Sequence, residues 1–178
     1  LFPYTTLFRS TLFADSLHID MSKAGPLSTI TIAASSFIGV IFGGILSDRW
    51  VQKNIRGRIY TSAIGLALTI PSLLFIGLGD TVFHVVAAAF CFGFGFGMFD
   101  ANNMPILCQF VSSKYRATAY GLMNMTGVFA GAFITDWLGK STDAGNLGKD
   151  FAMLGGIVAF ALIIQLWLLK PKANTVAV

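Results

Sequence analysis

The chain contains no glutamate and few charged residues of any kind. All eight of its acids are aspartate, and only 11% of its residues are charged, whereas a soluble domain carries about a quarter. The Glu–Lys pairs that stabilise exposed helices are therefore missing. This composition excludes an ordinary soluble helical bundle.

Cysteine and histidine are equally scarce. The two cysteines, Cys91 and Cys108, lie in one apolar segment about 25 Å of helix apart, which is too far for a disulfide. The two histidines, His18 and His84, do not have the spacing of metal ligands. No acid pair or Ser/His arrangement lies inside the apolar segments. We therefore expect no metal, no cofactor and no enzymatic activity.

Apolar sequence is what the chain has in excess. Hydrophobic residues make up 55% of it, and its mean hydropathy is +0.74. The net charge of +4 comes from basic residues that lie beside apolar runs rather than along a solvated stripe, a pattern typical of membrane proteins. This pattern favours the lipid bilayer as a partner and argues against nucleic acid.

Five apolar segments are long enough to cross a bilayer. Each has about 19 or more residues, the length that a hydrocarbon core of about 30 Å requires. They predict an all-α membrane protein with about five transmembrane helices in residues 26–172, and the short connections make neighbouring helices antiparallel. The predicted spans are 26–47, 59–79, 81–111, 117–135 and 151–169.

Basic residues predict the orientation of these spans. They follow the first, third and fifth spans, and they are Arg49, Lys53, Arg56, Arg58, Lys114, Arg116, Lys170 and Lys172. Because basic residues concentrate on the cytoplasmic side, residues 11–25 are expected to form an extracytoplasmic loop and residues 173–178 a cytoplasmic tail. We expect a multi-pass protein of the cell membrane, with a bacterial inner membrane favoured.

The first ten residues look foreign to the protein. Residues 1–10 resemble the translation of a common sequencing-adapter primer and are excluded from the fold prediction. The alternative is a genuine loop in which Pro3 ends a short apolar stretch. The chain does not begin with methionine and has an odd number of predicted spans, so we expect upstream sequence to be missing.

Glycines four residues apart occur in three of the predicted spans. This spacing lets helix backbones approach closely in lipid, and close packing alone is sufficient to explain it. The same contacts also let helices rock in a protein that changes conformation. The pairs are Gly39 with Gly43, Gly93 with Gly97, and Gly127 with Gly131.

Asp100 is the only acid inside a predicted span. On a helix it shares a stripe with Gly93, Gly97 and Asn103, so we expect it to face inward with the packing glycines. It lies about 17 Å of helix from the cytoplasmic end, close to the bilayer midplane. An acid at that depth costs about 2.5 to 3.5 kcal/mol on insertion scales and normally serves a pathway.

Asn102, Asn103 and Pro105 add to the polarity around Asp100. Because a proline has no N–H, Pro105 frees the carbonyl of Ala101. Together these groups predict a broken-helix site for a substrate or a coupling ion. The alternative is a structural lock, in which Asp100 pairs permanently with a basic residue of another helix.

The loop after the first span contains Gly44, Asp48 and Arg49, followed by Arg56 and Arg58. It resembles the signature loop of the major facilitator superfamily of secondary transporters, although Val51 stands where the pattern usually has glycine. The resemblance implies a twelve-helix fold and a gate latch at Asp48 and Arg49. Since an acid at a helix C-terminus needs a neighbouring cation, Asp48 is expected to pair with Arg49, Arg56 or Arg58. A plain topological anchor is the alternative.

The segment 113–124 also resembles this superfamily. Arg116, Thr118 and Gly121 are similar to the start of helix eleven in transporters of organic anions and sugar acids, which implies that Asn124 lines the cavity. Pro171 prevents the fifth helix from continuing, so we interpret the chain as helices eight to twelve of the C-terminal half. The N-terminal half is the alternative.

The resemblance implies a secondary active transporter. We expect cation-coupled symport of a small organic anion, such as a sugar acid, with H⁺ or Na⁺ by alternating access. The missing N-terminal half of the same polypeptide would complete the substrate cavity. The alternatives are a lipid or drug exporter of the same superfamily and a non-transporting membrane sensor on the same fold.

Overall fold

The chain folds into a bundle of long helices. The computed structural model describes residues 21–78, 82–143 and 147–171, and these ranges contain no strand. The five helices are α1 (Met21–Val51), α2 (Gly57–Leu78), α3 (Val82–Leu107), α4 (Arg116–Asp143) and α5 (Leu147–Leu168), with a 3₁₀ turn at Ser113–Tyr115 before α4. The prediction of an all-α protein is confirmed.

The helices differ from the predicted spans mainly at their ends. Helix α4 continues to Asp143 instead of ending near residue 135, and its apolar stretch Ser113–Leu138 includes Asp136. Asp136 thus lies in a second stretch that is apolar enough to span a membrane by length and composition. That Asp100 is the only acid inside a span stays a prediction. At the end of α3, Gln109 N–H donates to the Ile106 carbonyl at 2.9 Å, so the last turn tightens into 3₁₀ geometry.

Four helices of the described chain are apolar enough to cross a membrane by length and composition. They are the stretches Thr29–Val51, Gly57–Phe75, Ser113–Leu138 and Lys149–Leu168. Helix α3 is also rich in apolar residues, and its second half carries Asp100, Asn102 and Asn103. Because α3 packs against both α1 and α2, much of its surface is covered by protein rather than by lipid.

Glycines bring α1 and α3 into backbone contact. A Cβ atom on Gly43 would lie 2.7 Å from the Cα atom of Met98, and one on Gly97 would lie 2.9 Å from the amide nitrogen of Val40. Gly39 and Gly93 lie in the same contact, against Phe94 and Ile32 respectively. Any side chain at these positions would push the two helices apart.

A second glycine contact joins α3 to α2. A Cβ atom on Gly65 would lie 2.5 Å from the carbonyl oxygen of Gly95, and one on Gly95 would lie 2.6 Å from that of Gly65. On a helix, Gly95 is turned by about 200° from Gly93. The alternating glycines at 93, 95 and 97 therefore serve two neighbours on opposite sides of α3.

Helix α5 packs on α2, whereas α4 lies at the edge. The α5 contact includes a small core of Leu73, Ala88 and Phe151. By contrast, none of residues 113–137 is buried, and Gly127 and Gly131 of α4 are half-exposed. A packing role for these two glycines stays a prediction.

Candidate functional site

The C-terminal ends of α1, α3 and α5 meet at one end of the bundle, which we call the basic end. Its described cations are Arg49, Lys53, Arg56, Arg58, Lys114, Arg116 and Lys170. Two hydrogen bonds between described residues join the helix ends. The Ile55 carbonyl accepts one from Gln109, and the Leu166 carbonyl accepts one from Arg56. The loop after α1 is therefore tied to the ends of both α3 and α5.

Asp48 pairs with Arg58 across this loop. Its Oδ1 atom lies 3.5 Å from a guanidinium nitrogen of Arg58, and the Asp48 side chain is 70% exposed. Arg49 is exposed and takes no part in this pair. Of the three arginines that the sequence left open as partners, the structure selects Arg58.

Arg56 has a different role, because it caps α5. Its guanidinium donates a hydrogen bond to the carbonyl of Leu166 and lies 5.2 Å from the ring centre of Tyr60. The last carbonyls of a helix have no partner inside the helix and carry its negative dipole end. A cation at this position therefore stabilises the α5 terminus.

The end of α3 is capped in a similar way. Arg116 donates to the carbonyls of Cys108 and Val111, both at 3.4 Å, while the Gln109 side-chain amide donates to the carbonyl of Ile55 at 3.1 Å. Sequence reasoning missed the Arg56 cap of α5 and the Arg116 cap of α3. An arginine a few residues after a helix end was the available signal for Arg116.

Gly44 in α1 and Gly57 at the start of α2 lie on either side of the loop and differ in how closely they are packed. A Cβ atom on Gly57 would lie 2.5 Å from the carbonyl carbon of Trp50, so only glycine fits where α2 begins beside the end of α1. Around Gly44, by contrast, nothing lies within 4 Å of such an atom. Packing within the described chain therefore does not require Gly44, and its place in the gating loop stays a prediction.

Asp100 lies on the open side of α3. Its carboxylate is exposed and accepts a hydrogen bond of 3.3 Å from the side-chain amide of Asn103, whereas Gly93 and Gly97 are buried against α1. The expectation that Asp100 faces into this helix contact is wrong. On a helix, Asp100 is turned by about 60° from Gly97 and by about 160° from Met98, which also contacts α1. Asp100 therefore lies at the edge of the contact rather than within it.

Asn102 is separated from its two polar neighbours. It is 1% exposed, and its amide nitrogen donates to the Met98 carbonyl of the same helix at 2.9 Å. Within the described chain, its buried Oδ1 atom has no hydrogen-bond partner. The predicted polar patch is therefore divided between the helix interface, which holds Asn102, and the open face, which holds Asp100 and Asn103.

The predicted cavity residue Asn124 is exposed on α4. Its neighbour Met123 lines a cavity that Asn103 of α3 also lines, so the two helices share one space. The hydroxyl of Thr126 donates to the Leu122 carbonyl of its own helix at 2.9 Å. Farther along α4, Asp136 and Lys140 form an exposed ion pair of 2.7 Å.

A polar contact that the sequence did not reveal joins α2 and α5. The side-chain amide of Gln165 donates to the Ser62 hydroxyl at 3.0 Å and approaches the Ile59 carbonyl at 3.4 Å. In lipid, such bonds hold helices together. Among the described residues, no group of three or more His, Cys, Asp or Glu side chains could hold a metal ion.

Long apolar helices with buried polar groups and a charged loop define a multi-pass membrane protein. The family model of the Major Facilitator Superfamily matches residues 1–135, so the chain belongs to that superfamily. The matched range includes residues 1–10, whose interpretation as adapter sequence stays a prediction.

A curated relative adds a more specific likeness. The chain is similar to a citrate-proton symporter of Klebsiella pneumoniae, with 25% identity over 141 residues that cover 75% of this chain and 31% of that protein. The chain thus spans about a third of the relative's length. No solved structure matches the chain significantly.

Proposed function

We propose that the chain is part of a secondary active transporter that carries a small organic anion, such as a sugar acid, together with H⁺ or Na⁺. Membership of the superfamily supports transport, and the similarity to a citrate-proton symporter supports an organic anion with a coupled proton. The observation that carries the proposal is the pair of Asp100 and Asn103 on the open face of α3.

In the proposed mechanism, this pair couples the cation to the anion. An ionised carboxylate repels a substrate of the same charge, and the repulsion is strong where little water is present. A proton or Na⁺ on Asp100 removes that charge, so binding of the cation and binding of the anion favour each other. Asn103 donates to the Asp100 carboxylate and thereby orients it. Asn102, which lies 1% exposed in the same helix, supports the site from the interface side, and Asn124 is proposed to contribute from α4.

The loop after α1 is proposed as the gate latch. Exposed ion pairs are worth about 0 to 1 kcal/mol, and the Asp48–Arg58 pair is of this kind. A latch that opens in every cycle must be weak, so this pair is suitable. Gly44 and Arg49 lie in the last turns of α1, next to this loop. Arg56 fixes the loop to α5.

We further propose that the basic end faces the cytoplasm of the cell membrane, with the C-terminal tail on that side. Membrane proteins carry an excess of basic residues in their cytoplasmic loops, which motivates this orientation. Another part of the same polypeptide is proposed to complete the cavity opposite Asp100, because transporters of this kind bind substrate between two halves.

Replacing Asp100 tests the proposal. In proteoliposomes containing the full-length protein, Asp100→Asn should abolish accumulation of a radiolabelled organic anion, with citrate as the first probe, against its gradient. Counterflow, which needs no net cation movement, should persist. Asp136→Asn is the matched control, because Asp136 is an exposed acid on α4 that pairs with Lys140, and it should accumulate substrate normally.

Each alternative gives a different result. Accumulation by Asp100→Asn at the wild-type level would contradict the coupling role and favour a structural lock. Folded wild-type protein that shows no counterflow with any carboxylate, but extrudes an amphiphilic dye, would favour an exporter. Binding without counterflow would favour a sensor.

A further inference from the structure

A cavity of about 620 Å³ lies between α2, α3, α4 and α5. This volume is within the range of about 300–1,000 Å³ typical of ligand-binding pockets. Most of its walls are aliphatic or aromatic, with Ile157, Phe160 and Ile164 of α5 among them. Its occupant must therefore present an apolar surface.

The few polar groups in the wall already have partners. Gln165 donates to Ser62 at 3.0 Å, and Asn103 donates to Asp100 at 3.3 Å. A bound molecule gains little by replacing these bonds, because an exchange of hydrogen bonds contributes only a small net free energy. The wall thus favours hydrocarbon over a polar solute.

The cavity reaches the basic end of the bundle. Val111 and Leu169 line it there. The guanidinium of Arg116 lies 3.4 Å from the Val111 carbonyl, and exposed Lys170 directly follows Leu169. Among the described residues of the basic end, Asp48 is the acid, and it is paired with Arg58. The mouth of the cavity therefore carries positive charge.

We propose that this cavity holds one acyl chain of an acidic phospholipid, with the phosphate at Arg116 and Lys170. Three of the four surrounding helices are apolar enough to span a membrane, so the surrounding medium is lipid. Basic pockets between transmembrane helices on the cytoplasmic side attract anionic headgroups. The cavity adjoins the proposed transport site, because Asn103, which donates to Asp100, also lines it.

Native mass spectrometry of the full-length protein tests the proposal. The protein is incubated with equal amounts of phosphatidylglycerol and phosphatidylcholine in mild detergent, and the lipid that it retains is counted. Lys170→Gln and Arg116→Gln should each lower the preference for phosphatidylglycerol about five-fold. Lys149→Gln, an exposed cation at the opposite end of α5, is the control and should leave the preference unchanged. Because Arg116 also caps α3, Lys170→Gln is the decisive variant.

The apolar part of the site is tested by filling it. Ala161 lines the cavity, so Ala161→Trp should lower retention of both lipids several-fold. Ala152→Trp makes the same change at an exposed position of α5 outside the cavity wall and should have no effect.

Two results would each overturn the proposal: an unchanged lipid preference in Lys170→Gln, and wild-type lipid retention in Ala161→Trp. Wild-type retention in Ala161→Trp together with a loss of organic-anion counterflow would assign the cavity to the substrate. The lipid measurement needs no transport, so its outcome is independent of the coupling proposed for Asp100.

Discussion

Adding one methyl group at Gly95 tests the contact between α2 and α3. In Gly95→Ala the new Cβ atom would lie 2.6 Å from the Gly65 carbonyl oxygen and 3.0 Å from the Cβ atom of Leu68. Neither can move without its backbone, so the two helices must separate. Overpacking of this kind costs about 1 to 3 kcal/mol.

A matched substitution removes the contribution of helix propensity. Alanine is favoured over glycine by up to about 1 kcal/mol inside a helix, which would offset part of the loss at Gly95. Gly121→Ala on α4 gains the same amount, but nothing lies within 4 Å of its Cβ atom. The free energies of unfolding of the two variants should therefore differ by about 1 to 3 kcal/mol, with Gly95→Ala the less stable.

The assay is reversible denaturation of the full-length protein in mixed detergent micelles, supported by thermal melting. Gly156→Ala on α5 is a second control, since nothing lies near its added atom either. If Gly95→Ala were as stable as Gly121→Ala, the backbone contact between α2 and α3 would be refuted.

Two further predictions concern polar pairs. Asp48→Asn and Arg58→Gln should each raise the labelling of a cysteine in the cytoplasmic cavity by up to about five-fold, the equivalent of an exposed ion pair. Labelling in the double variant should be no higher than in either single variant. If Arg49→Gln raised the labelling equally, the latch would belong to a different residue. Gln165→Leu should lower the free energy of unfolding by about 0.6 to 1.7 kcal/mol. In the double variant with Ser62→Ala, the loss in free energy of unfolding should be smaller than the sum of the two single losses. If the two losses were fully additive, the hydrogen bond between Gln165 and Ser62 would not form.

Hydropathy predicted the existence of the helices because burial in lipid requires long apolar runs. It did not predict their ends, since a helix continues into polar sequence as long as its backbone bonds are made. Helix α4 shows this difference, because it runs past Asp136 to Asp143. The sequence predicted that this helix ends before Asp136, but the helix includes Asp136.

The site was predicted only in part, for a similar reason. Sequence spacing placed Asp100 and Asn102 on one helix, but which face is covered depends on where α1 and α2 lie. Asn102 is buried and Asp100 exposed as a result. The partner of Arg56 lies 110 positions away, at Leu166, and no local pattern indicates such a contact.

Large and small residues alternate along the middle of α3, with Phe92, Phe94 and Phe96 each followed by a glycine. If α3 slid by one residue, a phenyl ring would occupy a place that has room only for a hydrogen atom. A shift of register by one residue is therefore sterically blocked, and we expect α1, α2 and α3 to move together. We expect a change of shape within the described chain to involve mainly the contacts of α4, where none of residues 113–137 is buried.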